Sequence, residues 1–113
     1  MKKFKYGLKL WSNNENYIPN AMKLYEKNIY DYIELYIVPE TYHRYIKMWQ
    51  DIKAPYLIHC TQFVHGFNLA SQEKFETNLN MFSEVRDFAD TLNAKYIITV
   101  SYTHLTLPTK RIV

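Results

Sequence analysis

Tyr32-Ile33-Glu34-Leu35-Tyr36-Ile37-Val38 is a run of β-branched, aromatic and aliphatic side chains broken by a single carboxylate. Such a run suits a strand covered on both faces, as in a parallel sheet, and Pro39 ends it. Side chains alternate along a strand, so Tyr32, Glu34, Tyr36 and Val38 share one face and Ile33, Leu35 and Ile37 the other. A carboxylate in the middle of a buried strand needs a partner on its own face. A doubly wound sheet packs helices on both faces, whereas the upper lumen of a barrel collects polar groups. The position of Glu34 therefore favours a barrel.

Upstream, Phe4, Tyr6, Leu8 and Leu10 alternate with Lys5, Gly7 and Lys9, the period of a strand reaching Trp11. A polar run over 12–16 follows. Pro19 then opens a helix to about Lys27, with Ala21, Leu24, Tyr25 and Asn28 on one stripe. Downstream, the spacing of Tyr42, Tyr45, Ile46, Trp49 and Ile52 predicts a helix over 40–52, and Tyr56-Leu57-Ile58-His59-Cys60 reads as a third buried strand. Residues 61–70 make a long connection for an alternating chain, and long connections often carry function. Ser71 is a suitable N-cap for a third helix ending near Asn93, with Phe75, Leu79, Phe82, Val85, Ala89 and Leu92 on its apolar face. Tyr96-Ile97-Ile98-Thr99-Val100 reads as a fourth strand. The alternation β-α-β-α-β-α-β predicts parallel neighbours joined by crossover helices.

The chain has 113 residues, 48% apolar and 22% charged, with two glycines, four prolines and one cysteine. These values exclude collagen-like, disulfide-rich and disordered classes and leave room for one domain with a modest core. The net charge of +3 is spread along the chain rather than massed, which argues against nucleic acid as a partner. Cys60 has no second cysteine to pair with. No apolar run approaches the roughly 18 residues needed to span a bilayer, so no membrane is expected. Lys9 interrupts the apolar segment that a signal peptide would need, and a cytoplasmic location is expected.

The stretch over 101–113, Ser101-Tyr102-Thr103-His104-Leu105-Thr106-Leu107-Pro108-Thr109-Lys110-Arg111-Ile112-Val113, carries neither a helical stripe nor a cap where a fourth helix belongs. It resembles the peptide obtained by translating a sequencing adapter, and is read as a non-native tail. Without Lys110 and Arg111 there remain 12 basic residues against 11 acidic ones, a balance of +1 over residues 1–100.

Several segments together carry a family resemblance. They are Gly7-Leu8-Lys9-Leu10-Trp11, Asn28-Ile29-Tyr30-Asp31-Tyr32-Ile33-Glu34-Leu35, the strand end Ile58-His59, and His65-Gly66-Phe67-Asn68-Leu69-Ala70. Residues 1–100 resemble the N-terminal half of the xylose-isomerase-like TIM barrels, a superfamily of sugar and sugar-phosphate isomerases and epimerases that also includes the apurinic endonucleases. The resemblance implies an α/β fold, strands one to four and helices one to three of a (βα) barrel, whose complete form needs about 250 residues. Many relatives follow the fourth strand with His-Pro-Gly, where this chain has Ser101-Tyr102-Thr103.

What the resemblance implies for individual residues is as follows. Glu34 faces the substrate or orients a metal ligand; the competing reading is an ion pair with Lys9 on the neighbouring strand. His59 is a metal ligand on the endonuclease pattern and a substrate contact on the isomerase pattern, with a histidine bonded to a backbone carbonyl as the alternative to both. Asn68-Leu69-Ala70 resembles the loop exit of the family; read from the residues themselves, His65 in that loop can close over a ligand or be simply solvated, and Trp11 and Phe63, with Lys9 nearby, can wall a sugar ring or belong to core and rim packing. The implied cofactor of the complete parent is a divalent metal, manganese, magnesium, zinc or cobalt, and the implied ligand a sugar or sugar phosphate. The expected parent is a metal-dependent isomerase or epimerase. The alternatives are a metal-dependent phosphodiesterase acting on abasic DNA and a noncatalytic ligand-binding barrel. The fragment is expected to be inactive and to self-associate through open strand edges. Cys60, with no activating neighbour in sequence, reads as a small buried residue.

Overall fold

The structure is a computed structural model and describes residues 4–61, 72–73 and 75–99. Within it the strands are β1 (Gly7–Trp11), β2 (Tyr32–Tyr36), β3 (Tyr56–His59) and β4 (Ile97–Ile98), and the helices α1 (Ile18–Glu26), α2 (Tyr42–Gln50) and α3 (Phe75–Thr91). A short 3-10 turn, Glu15–Tyr17, precedes α1. All neighbouring strands are parallel, and their order in the sheet is β1-β2-β3-β4. The fold is therefore α/β with strands added in one direction only.

The register sorts the side chains into two faces. Leu8 and Leu10 pair with Ile33 and Leu35, Leu35 pairs with Ile58, and Ile58 pairs with Ile97. This face meets Ile18 and Ala21 of α1, Ile46 and Trp49 of α2, and Val85, Phe88 and Ala89 of α3 in one buried cluster. Crossovers of one hand, all stepping the same way across a sheet, place their helices on the same side. The second face carries Lys9, Trp11, Glu34, Tyr36, Leu57, His59 and Ile98, and it is the more exposed one. The expectation that β2 is covered on both faces is corrected accordingly: among the described residues helices cover only the Ile33–Leu35 side, and Glu34 lies on the other.

Several element boundaries also differ from expectation. β1 begins at Gly7 rather than Phe4, and Phe4 and Tyr6 are exposed. The outer end of the Tyr32 ring lies across Gly7, and a Cβ there would stand 2.5 Å from it, so a larger residue would have to push that ring aside. Leu24 is exposed, and the buried stripe of α1 runs through Ile18 and Ala21 instead. In α3 the buried positions are Asn78, Val85, Phe88 and Ala89, whereas Phe75 and Leu79 face outward. The turn in the buried stripe follows from which helix side reaches α2, where Tyr42 meets the Phe88 ring edge-on at 5.2 Å. The α2 stripe lies where its spacing puts it, with Ile46, Trp49 and Ile52 buried.

Two polar devices hold the strand ends. Thr41 Oγ1 donates to the Val38 carbonyl at 2.7 Å, which uses its only proton, so Ser12 Oγ donates to Thr41 Oγ1 at 2.7 Å. Ser12 Oγ also accepts from the Val38 N–H at 2.8 Å, and the Ser12 carbonyl accepts from Trp49 Nε1 at 3.0 Å. The second device is the Glu84 carboxylate of α3. It accepts from the backbone N–H groups of Glu40, Thr41 and Tyr42 at 2.9–3.0 Å, satisfying donors at the start of α2 and favouring its positive end. Glu40 has φ 66°, a left-handed conformation that costs a non-glycine residue about 1–2 kcal/mol, and the Glu84 bond helps to offset it. Among the described residues, no helix is long and apolar enough to cross a membrane.

Candidate functional site

The C-terminal ends of β1, β2 and β3 deliver one ring each to the face opposite the helices. Trp11 pairs with Tyr36 and Tyr36 with His59 in the sheet register. Their rings form a row across the strands, with centroids 4.8 Å apart for Trp11 and Tyr36 and 5.5 Å apart for Tyr36 and His59. Both contacts are tilted, within the range aromatic pairs prefer. Tyr36 and His59 are buried, while Trp11 remains 42% exposed and closes the row at the β1 edge.

One step toward the strand starts, on the same face, the Lys9 ammonium lies 3.8 Å from the Glu34 carboxylate. Their side chains are 60% and 25% exposed, so the pair sits in water-accessible surroundings and contributes little to stability. The ion pair named as the competing reading of Glu34 is thus formed. Glu34 and His59 stand on the same side of the sheet, on adjacent strands and two register positions apart, since Glu34 pairs with Leu57 and Tyr36 with His59.

His59 Nδ1 lies 2.9 Å from the Cys60 carbonyl oxygen. A carbonyl can only accept, so Nδ1 carries the proton and, in the neutral ring, Nε2 carries the lone pair. The histidine bonded to a backbone carbonyl, one of the expected alternatives for His59, is thus present. Burial pushes the neighbouring Cys60 thiol up to about 11, against a smaller opposing effect of a backbone hydrogen bond from Thr61, so this cysteine is a poor nucleophile.

Of the residues expected at the site, Lys9, Trp11, Glu34 and His59 fall on one face. Phe63, His65 and Asn68 lie outside the described residues, as does the tail over 101–113. Tyr36 was not singled out from the sequence, although it stands two positions from Glu34 in the same strand and so shares its face. Among the described residues, no three His, Cys, Asp or Glu side chains gather to hold a metal ion. His59 and Glu34 by themselves do not make a metal centre. At the other rim a cleft of about 440 Å³ is lined by Lys5, Asp31, Tyr32, Tyr56, Leu57 and Lys95 among others. It lies at the strand starts, away from the end where parallel α/β sheets place their ligands.

Compared with protein-family models, with curated proteins and with solved structures, the chain gives no significant match.

Proposed function

We propose that residues 4–99 are the first four strands and three helices of a (βα) barrel enzyme acting on a sugar or sugar phosphate, an isomerase or epimerase. Two features of the fold support the barrel: strands in sequential order and, among the described residues, helices on one face of the sheet. A doubly wound sheet reverses its strand order and takes helices on both faces. The observation that carries the functional reading is the row of Trp11, Tyr36 and His59 at the strand ends, with Lys9 and Glu34 beside it. An aromatic surface packs against the C–H faces of a sugar ring, while a carboxylate and an ammonium bond its hydroxyls.

Within such a site Trp11 binds and orients the ring. Glu34 accepts from a hydroxyl and Lys9 donates to one. Isomerisation and epimerisation move a proton at a carbon next to a carbonyl, and an imidazole suits this because its ordinary pKa lies close to neutrality. His59, held by the Cys60 carbonyl at Nδ1 and standing at the end of β3, is the residue proposed to move that proton. Strands beyond β4 would bring the remaining acid and base.

Calorimetric titration of the 113-residue chain with aldoses, ketoses, their phosphates and an abasic duplex tests this reading. Saturable binding of a sugar or sugar phosphate, weakened by Trp11→Ala, is expected. Binding of the abasic duplex alone, or of none of these ligands, would overturn it.

A further inference from the structure

We infer that two copies of this chain join flank to flank about a twofold axis and close one eight-stranded parallel barrel, the α3 flank of each copy seated against the β1 flank of the other. The inference rests on the proposed function for the barrel and not for the sugar.

The two ends of the sheet match each other. Strand order puts β1 at one end and β4 at the other, and among the described residues no strand pairs with their outer edges. Ile58 N–H donates to the Tyr96 carbonyl and Cys60 N–H to the Ile98 carbonyl, which turns those two β4 carbonyls toward β3. Backbone groups alternate in direction along a strand, so those of Ile97 point to the outer edge. On β1, Ser12 N–H donates to the Tyr36 carbonyl at 2.8 Å, so Gly7, Lys9 and Trp11 present their backbone groups outward. Asn14 takes both groups of Trp11: its Oδ1 accepts from the Trp11 N–H at 2.7 Å, and its own N–H donates to the Trp11 carbonyl at 2.8 Å. Pairing is left to Gly7 and Lys9, a length that suits the short β4, Ile97–Ile98.

The helix layer is complementary across the same two flanks. Beside β1 an apolar cleft of about 200 Å³ is lined by Leu8, Leu10, Tyr17, Asn20, Ala21 and Leu24. On α3, Glu84 and Phe88 face α2, and at 3.6 residues per turn Phe75 and Leu79 lie on the opposite side of the helix, 56% and 45% exposed. An exposed apolar pair on one flank and an apolar cleft on the other make a knob and a hole for two copies of one chain. Such a contact builds an open filament unless the rotation closes. Four parallel strands are half of the eight that close a barrel. Half a turn about an axis along the strands therefore brings β4 of each copy beside β1 of the other, in the same direction. Both junctions are then identical and no sheet edge remains. The face that carries Lys9 and Glu34 borders one lumen shared by both copies.

Sedimentation equilibrium of the 113-residue chain measures this, and a species of two chains across the micromolar range is expected. Leu24→Lys and Leu79→Glu, both at exposed positions, are each expected to weaken the dimer roughly tenfold or more, the scale of a residue central to an interface. An equimolar mixture of these two variants is expected to recover most of the wild-type affinity, because one junction is then unaltered and the other sets Lys against Glu. Ile97→Pro, which removes an N–H at the outer edge, is expected to give a monomer that circular dichroism shows to be folded. A wild-type monomer, or an open series of oligomers, would overturn the inference. So would a dimer that both leucine variants and Ile97→Pro leave intact, or a mixture of folded leucine variants no tighter than either alone. A dimer that binds no sugar would sink the carbohydrate reading alone, and a monomer that binds one would sink this inference alone.

Discussion

The two faces of the sheet are made from the same four strands, yet they obey different rules. Toward the helices, Leu10, Ile33, Leu35 and Ile58 are buried against Trp49, Val85 and Phe88, and the strand side chains there carry almost no polar chemistry. On the other side, Lys9, Glu34 and Trp11 remain accessible, and Tyr36 and His59 are buried mainly beside other rings. One face stabilises the fold through apolar area removed from water. The other leaves an ion pair, an imidazole and aromatic surface where a ligand can reach them. Alternation along each strand lets both roles share a backbone, so changes on one face should leave the other largely intact.

The largest effect should come from the helix side. Trp49→Ala removes a fully buried indole and its bond to the Ser12 carbonyl, and is expected to cost about 3–5 kcal/mol. That is a large part of the 5–15 kcal/mol that holds a typical domain. Urea unfolding measures it; a midpoint close to wild type would break the distinction between the faces.

Alkaline titration comes next. Burial raises the Cys60 thiol from its ordinary 9.0 to about 11, so the unfolded chain ionises first. The stability this thiol carries is complete below pH 9 and is lost as pH rises toward 11. Burial also raises Tyr30 and Tyr56, chiefly by desolvation, which adds to the loss above pH 10. Melting temperature followed against pH should therefore fall from about pH 9, and Cys60→Ala should delay the onset toward pH 10. A Cys60→Ala chain that loses stability from pH 9 as the wild type does would show that this side of the sheet is wetter than described.

Glu84→Ala removes the acceptor of three N–H groups at the start of α2 and is expected to cost about 1–2 kcal/mol in urea unfolding. An unchanged midpoint would mean that water replaces the carboxylate at no cost. The smallest effect belongs to the open face. Lys9→Ala or Glu34→Gln should change stability by less than about 1 kcal/mol, and a double-mutant cycle should find little coupling at 3.8 Å in solvent. A coupling several times larger would move this pair from the site to the structural frame.

Much of the architecture is legible in the sequence because it rests on local patterns. The run over 32–38, the Tyr42 to Ile52 spacing and the strand ending in His59 each show their period within a few residues. The side of α3 that packs is not local. Phe88 is buried against Tyr42 of α2, and a stripe through Phe75 and Leu79 looks equally good on the sequence alone. Glu84 is hidden for the same reason: a mid-helix carboxylate reads as a solvated charge until the N–H groups of residues 40–42, some forty positions earlier, arrive beside it. At the site, parity in β2 puts Glu34 and Tyr36 on one face, but only the register between strands brings Trp11, Tyr36 and His59 into one row. A single sequence does not state that register.

The division of labour between the faces is tested most directly by mapping amide and side-chain chemical shifts of the 113-residue chain during titration with an aldose and with a ketose. Saturable shifts at Lys9, Trp11, Glu34, Tyr36 and His59, with Leu10, Ile33, Leu35 and Ile58 unmoved, are the expected result. Shifts gathered instead at Lys5, Asp31 and Lys95 by the strand starts, or among the helix-facing residues, would contradict the account.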